Sequence, residues 1–243
     1  MKSGNKSKLK KRPGPTTEAK AHPWRPCPLG KHWVRAHPRN RVSSKGKPFT
    51  QQMPGTCREG RSHLDHLYRD EIHEVAAQNF SKLTGPPASD DFEFKAKGNR
   101  YDELIRGWTM YWNDVLRPKV PLDPDIVKAL IATESGFNPK ARNGLRGKMG
   151  ARGLMQVLNQ SVQLLKDPKE MGDHFVNLDN DDMTDPNLSI CAGIRWLFRK
   201  KQLLEANSKK SLSWRDAIIK YKKAEKKHID RFDEYYRKLK RIK

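Results

Sequence analysis

Apolar residues repeating with helical spacing between residues 101 and 131 constrain this chain more than any other feature. Tyr101, Leu104, Ile105, Trp108, Tyr111, Trp112 and Val115 recur at three- and four-residue steps, which places them on one helix face that has to be buried. Arg117-Pro118 ends the helix, because the residue before a proline is pushed out of the helical region. After a loop bracketed by Pro121 and Pro124, Asp123 is expected to cap a second helix, with Pro124 at its first position and Asp125 at the favourable end of the dipole. Ile126, Val127, Leu130 and Ile131 form that helix's buried face. The aromatic stripe on the first reads as core rather than as a ligand platform.

Glu134 follows Leu130 by four residues and Ile131 by three, so it lies in line with the buried face. Apolar neighbours disfavour the charged carboxylate and raise its pKa towards the range a general acid uses. Gly136 and Pro139 then release the chain from the helix. Spacing alone describes a surface glutamate near a helix end equally well.

Further helices follow. Ile190, Ile194 and Leu197, with Cys191 and Phe198 alongside, mark a buried face that assigns Cys191 to the core. Ser213 with Asp216 three residues on is a capping-box start for a helix carrying Tyr221. Ile229, Phe232, Tyr236, Leu239 and Ile242 stripe a final Lys/Arg-rich helix, expected to close the domain rather than bind a surface. Between Glu170 and Asp185 lie six acids and no Lys or Arg; without the ligand spacing of a calcium loop, this reads as solvated.

The N-terminal part differs. From Met1 to Arg61 there are sixteen Lys/Arg against two Asp/Glu. Residues 1–21 are expected to be a disordered basic tail, since they bury too little apolar surface to offset ordering entropy. Residues 22–84, with Trp24, Trp33 and two cysteines among prolines, read as a small docking or targeting module containing a helix from Asp65 to Phe80. Residues 85–98, opened by Gly85-Pro86-Pro87, read as a linker, and residues 99–243 as the main domain. Cys27 and Cys57 are the candidate pair in an oxidising compartment; three reduced thiols are the alternative. Seven His and Cys between His22 and His66 fit no compact zinc finger, so no metal and no cofactor are expected.

A net charge of +22 suits a polyanion, whether nucleic acid, anionic lipid or an envelope polymer. No apolar run is long enough to span a membrane, and the first residues lack the hydrophobic core of a signal peptide. The expectation is a monomer without a membrane span, brought to its site by specialised secretion, a phage particle or lysis, with residues 22–63 meeting a secretion or envelope partner.

Ala129 to Pro139, A-L-I-A-T-E-S-G-F-N-P, resembles the catalytic motif of the soluble lytic transglycosylase family, which is related in fold to goose-type lysozyme. Gly150 to Val157 resembles that family's second motif, Asp185 to Leu197 its third and Ala217 to Tyr221 its fourth, all in the family's order. The resemblance implies a mainly α, lysozyme-like domain that cleaves the MurNAc–GlcNAc β-1,4 bond of peptidoglycan glycan strands in the periplasm or cell wall. It implies Glu134 as the single acid and base, with Ser135, Gly153, Leu154, Met155, Gln156 and Tyr221 lining the sugar groove. The product it implies is a 1,6-anhydroMurNAc end.

Three departures stand out. Lys140 to Met149 is a basic insert carrying Arg142, Arg146 and Lys148, expected as a flexible loop beside the groove; Ser189 stands where the family usually has Asn; and Lys222 follows Tyr221 where Asn is usual. Two rival readings follow: a muramidase of the same fold in which water attacks, and a cationic envelope- or nucleic-acid-binding protein on this scaffold.

Overall fold

The core is organised around its longest helix, Pro186–Ser208, whose Leu188, Ile190, Cys191, Ala192, Ile194, Trp196, Leu197 and Phe198 are all buried. A helix buried all round over its first three turns belongs in the middle of a domain. The computed structural model describes residues 23–28, 30–59, 64–87, 92–144, 146–208, 211–222 and 226–241. In chain order the helices are α1 (Arg69–Asn79), α2 (Lys95–Asn99), α3 (Asp102–Leu116), α4 (Pro124–Ser135), α5 (Asn159–Leu164), α6 (Pro168–Met171), α7 (Pro186–Ser208), α8 (Trp214–Lys222) and α9 (Lys226–Arg241). The strands are short: β1 (Lys31–Val34), β2 (His37–Val42), β3 (Pro48–Met53), β4 (Thr56–Glu59), β5 (His66–Tyr68), β6 (Ala151–Arg152), β7 (Val157–Leu158) and β8 (Phe175–Asn177). The fold is mainly α, and no described helix is long and apolar enough to cross a membrane.

Helices α1, α3 and α8 pack around α7. The aromatic stripe of α3 faces it: Trp108 Nε1 donates to Asn187 Oδ1 at 2.6 Å and Trp112 Nε1 to the Cys191 carbonyl at 3.0 Å. Both indoles thus bury their rings while their polar tips stay bonded. On α4, Asp123 accepts a hydrogen bond from the Asp125 amide at 3.0 Å and Pro124 occupies the first turn. Helix α9 lies along α4 with Ile229, Phe232, Tyr235 and Leu239 buried, so the final helix closes the domain. Ile242 lies outside the described residues.

Strand β5 pairs in parallel with β8, placing His66 opposite Phe175. This shortens the helix expected from Asp65, since residues 66–68 spend their backbone groups on a strand. It also corrects the reading of 170–185 as a solvated loop. Phe175, Val176, Leu178 and Met183 are buried, and acids such as Asp179 and Asp181 face outward.

Trp24 meets Phe80 and Tyr111 edge-on, with centroids 6.3 and 6.1 Å apart. Arg25, 7% exposed, donates through Nε and Nη2 to the two oxygens of fully buried Glu71, each at 2.9 Å, and through Nη1 to Asp65. Cys27 and Cys57 form a disulfide, and β1 pairs with β4 beside it. Leu67, Ile72, Val75 and Phe80 share one core with Trp108 and Leu130, as does Phe92 from the expected linker. Packing therefore shows no break at residue 84. Phe92 and Phe94 fill the space between Phe137 and Tyr235, which a solvated linker could not do. The expected tail at 1–21 lies outside the described residues.

Candidate active site

Glu134 sits in the last turn of α4, which ends where Gly136 adopts φ +54° and donates its amide to the Ala132 carbonyl at 3.2 Å. Phe137 follows at φ +59° and is buried among Phe92, Phe94 and Tyr101. The apolar anchor after the turn fixes where the helix stops, and so where the carboxylate points. The side chain is 16% exposed. Burial pushes its pKa above the ordinary glutamate value; Lys222, and to a lesser degree His228, pull it back. Ser135, half-buried, turns its hydroxyl onto the Ile131 carbonyl at 3.3 Å.

The second motif forms a tight hairpin in which β6 and β7 pair antiparallel. Gly153 at φ +77° makes the turn, and a Cβ there would run into the Met183 carbonyl oxygen. Gln156 also has positive φ, +48°, and its Nε2 donates to the carbonyls of Ala141 and Gly153 at 3.1 and 2.9 Å. Leu154 and Met155 are fully buried, and Met155 packs so closely on α7 that Gly193 has no room for a Cβ. Their side chains therefore support the hairpin from beneath, which corrects the expectation that they line a groove. Ser189 Oγ accepts from the Met155 amide at 3.4 Å, so this departure from the family pattern acts as a further strut.

Tyr221, on α8, donates its hydroxyl to the Met155 carbonyl at 2.8 Å. Burial and the nearby Glu134 charge both raise its pKa, so it stays a neutral donor. This bond ties the second motif to the fourth beside the carboxylate. With Gln156, Trp196 and Lys200, Tyr221 also lines a cavity of about 150 Å³. The basic insert is folded back by Asn143, whose side chain bonds the Met149 carbonyl at 3.1 Å and the Ala151 amide at 3.0 Å, while Arg142, Arg146 and Lys148 remain exposed.

The sequence pattern of the Transglycosylase SLT domain matches residues 116–242, which takes in the helix bearing Glu134, the hairpin and the helix bearing Tyr221. This chain belongs to that family. Among solved structures it is similar to the 70 kDa soluble lytic transglycosylase of Escherichia coli, at 18% identity and a TM-score of 0.33, over 58% of this chain and 26% of that one. The chain thus spans about a quarter of that enzyme's length.

The structure brings Glu134 and Tyr221 together, with the second-motif hairpin hydrogen-bonded to Tyr221. It adds Lys222, whose Nζ lies 2.6 Å from Glu134 Oε1 and 3.0 Å from Thr133 Oγ1. Sequence reading marked Lys222 only as a departure. Its position one residue after Tyr221 was the available signal, but which way it points depends on how α8 docks against α4.

Proposed function

We propose that this chain is a peptidoglycan lytic transglycosylase that cleaves the MurNAc–GlcNAc β-1,4 bond and leaves a 1,6-anhydroMurNAc end. The observation that supports this most is the setting of Glu134. It is a nearly buried carboxyl at a helix end, and among the described residues the charged group hydrogen-bonded to it, Lys222, is a cation rather than a second carboxylate. Hydrolytic glycosidases generally work with two carboxylates. One carboxyl suffices if the sugar supplies its own nucleophile. Protonated Glu134 gives its proton to the glycosidic oxygen, and the bond from that oxygen to C1 breaks. The resulting carboxylate takes the proton of the C6 hydroxyl as O6 bonds to C1, so no water is consumed and the acid is restored.

In this reading Ser135, Gln156 and Tyr221 stand around the scissile bond, and Gly153 lets the hairpin backbone settle against Met183 and Ser189. Leu154 and Met155 hold that backbone in place from below. The reaction takes place in the periplasm or cell wall. The β2–β3 hairpin is the candidate contact with an anionic envelope partner. Between His37 and Met53 it carries Arg39, Arg41, Lys45 and Lys47 and no acid, all exposed, with Val42 and Phe49 also exposed at 69% and 47%.

Mass spectrometry of digested sacculi tests the chemistry. Anhydro-ended muropeptides are expected; reducing ends would instead show that water attacks, as in a muramidase. Salt-sensitive binding with no glycan cut would leave only a cationic binding protein.

A further inference from the structure

Lys222 stands at the C-terminal end of α8, yet its side chain is only 4% exposed. It turns inward, and its ammonium is shared between Glu134 Oε1 and Thr133 Oγ1. A lysine buried this far is stable only where partners answer its charge. Here the partner is the carboxyl on which the proposed reaction depends. That carboxyl must lose a proton and recover it within one turnover, so a charge appears on it midway through.

We propose that Lys222 is a positioning residue that clamps Glu134 Oε1, leaves Oε2 to exchange the proton with the glycan, and stabilises the carboxylate that exists between the two proton transfers. The inference rests on the reading of Glu134 as the acid and base. Its physical content is a fixed cation aimed at the place where charge develops, which needs no reorganisation during the reaction. Thr133 holds the ammonium from the same turn of α4, so cation and carboxyl keep their register when a glycan enters. The other groups that bear on Glu134 are His228, exposed on α9, and Tyr221 on α8, which stays neutral. Lys222 is therefore the near, buried cation.

The sign follows from the charges. Lys222 favours the ionised carboxyl, so it lowers the pH above which Glu134 ceases to be an acid, whereas burial raises it. In full-length Lys222→Met, which keeps the apolar stem and removes the charge, the Glu134 carboxyl resonance should titrate at higher pH than in wild type. The alkaline limb of kcat/KM on purified glycan strands should move the same way. Lys222→Arg should keep the wild-type midpoint.

An unmoved carboxyl midpoint in folded Lys222→Met overturns the clamp. A uniform loss of rate with both limbs in place also overturns it, because a packing role alone gives that pattern. The titrations do not depend on turnover. Cleavage that survives in Glu134→Gln would sink the reading of the acid, whatever the titrations show.

Discussion

Gly153 shows how much of the site rests on single residues. Its φ of +77° is costly for any side chain, and a Cβ would meet backbone at Met183 rather than a yielding side chain. Gly153→Ala is therefore expected to destabilise the protein by roughly 2–4 kcal/mol, the sum of backbone strain and overpacking. Thermal or urea unfolding checks this, and an unchanged midpoint would contradict it. The sequence marked Gly153 through a motif, but the reason for glycine lies in Met183 and Ser189, about thirty residues downstream. Glu134 shows the same division. Its alignment with Leu130 and Ile131 was readable from spacing, whereas its pairing with Lys222 came from the meeting of α4 and α8.

At the scale of elements, legibility followed periodicity. Helices α3, α4, α7 and α9 were readable because their apolar steps match the helical repeat, and the Asp123 cap and the bonds between Ser213 and Asp216 fell where spacing placed them. The strands were not readable. Each is six residues or fewer, and β5 with β8 joins segments more than a hundred residues apart in sequence. Hairpin β2–β3 is the element least tied to the rest: nearly every residue in it is exposed, on both faces. A two-stranded ribbon of this kind is marginal in water by itself, and its basic residues suit an anionic surface. Replacing residues 39–51 by a short turn should leave cleavage of soluble glycan strands unchanged and weaken co-sedimentation with sacculi severalfold at low salt. Equal sedimentation of both proteins would remove the hairpin from the account.

For the whole molecule, the N-terminal segment is a part of the core rather than a detachable address. Glu71 is fully buried and its pKa is raised by burial, with Arg25 opposing that shift. Removing the guanidinium leaves a buried carboxyl without its partner. Arg25→Met is expected to cost about 3–5 kcal/mol at neutral pH. The raised pKa makes protonated Glu71 the better-tolerated form, so this loss should shrink as pH falls through the carboxyl's titration range. Denaturant unfolding at several pH values measures it, and a loss independent of pH would contradict it. By the same argument, deleting residues 1–63 should destabilise the fold, because Trp24 and Arg25 go with them. The proline-rich, basic composition of that segment concealed this: Trp24 and Arg25 anchor it, and β1 packs against α1 and β5.

The proposed reaction turns on one carboxyl, that of Glu134. The most direct test is digestion of purified sacculi by wild type and Glu134→Gln, both shown to be folded, with products resolved by mass spectrometry. General acid–base catalysis by one group contributes roughly 10²–10⁴-fold, so the variant should lose about that much rate. Wild type should yield anhydro ends. Undiminished cleavage by Glu134→Gln would contradict the account.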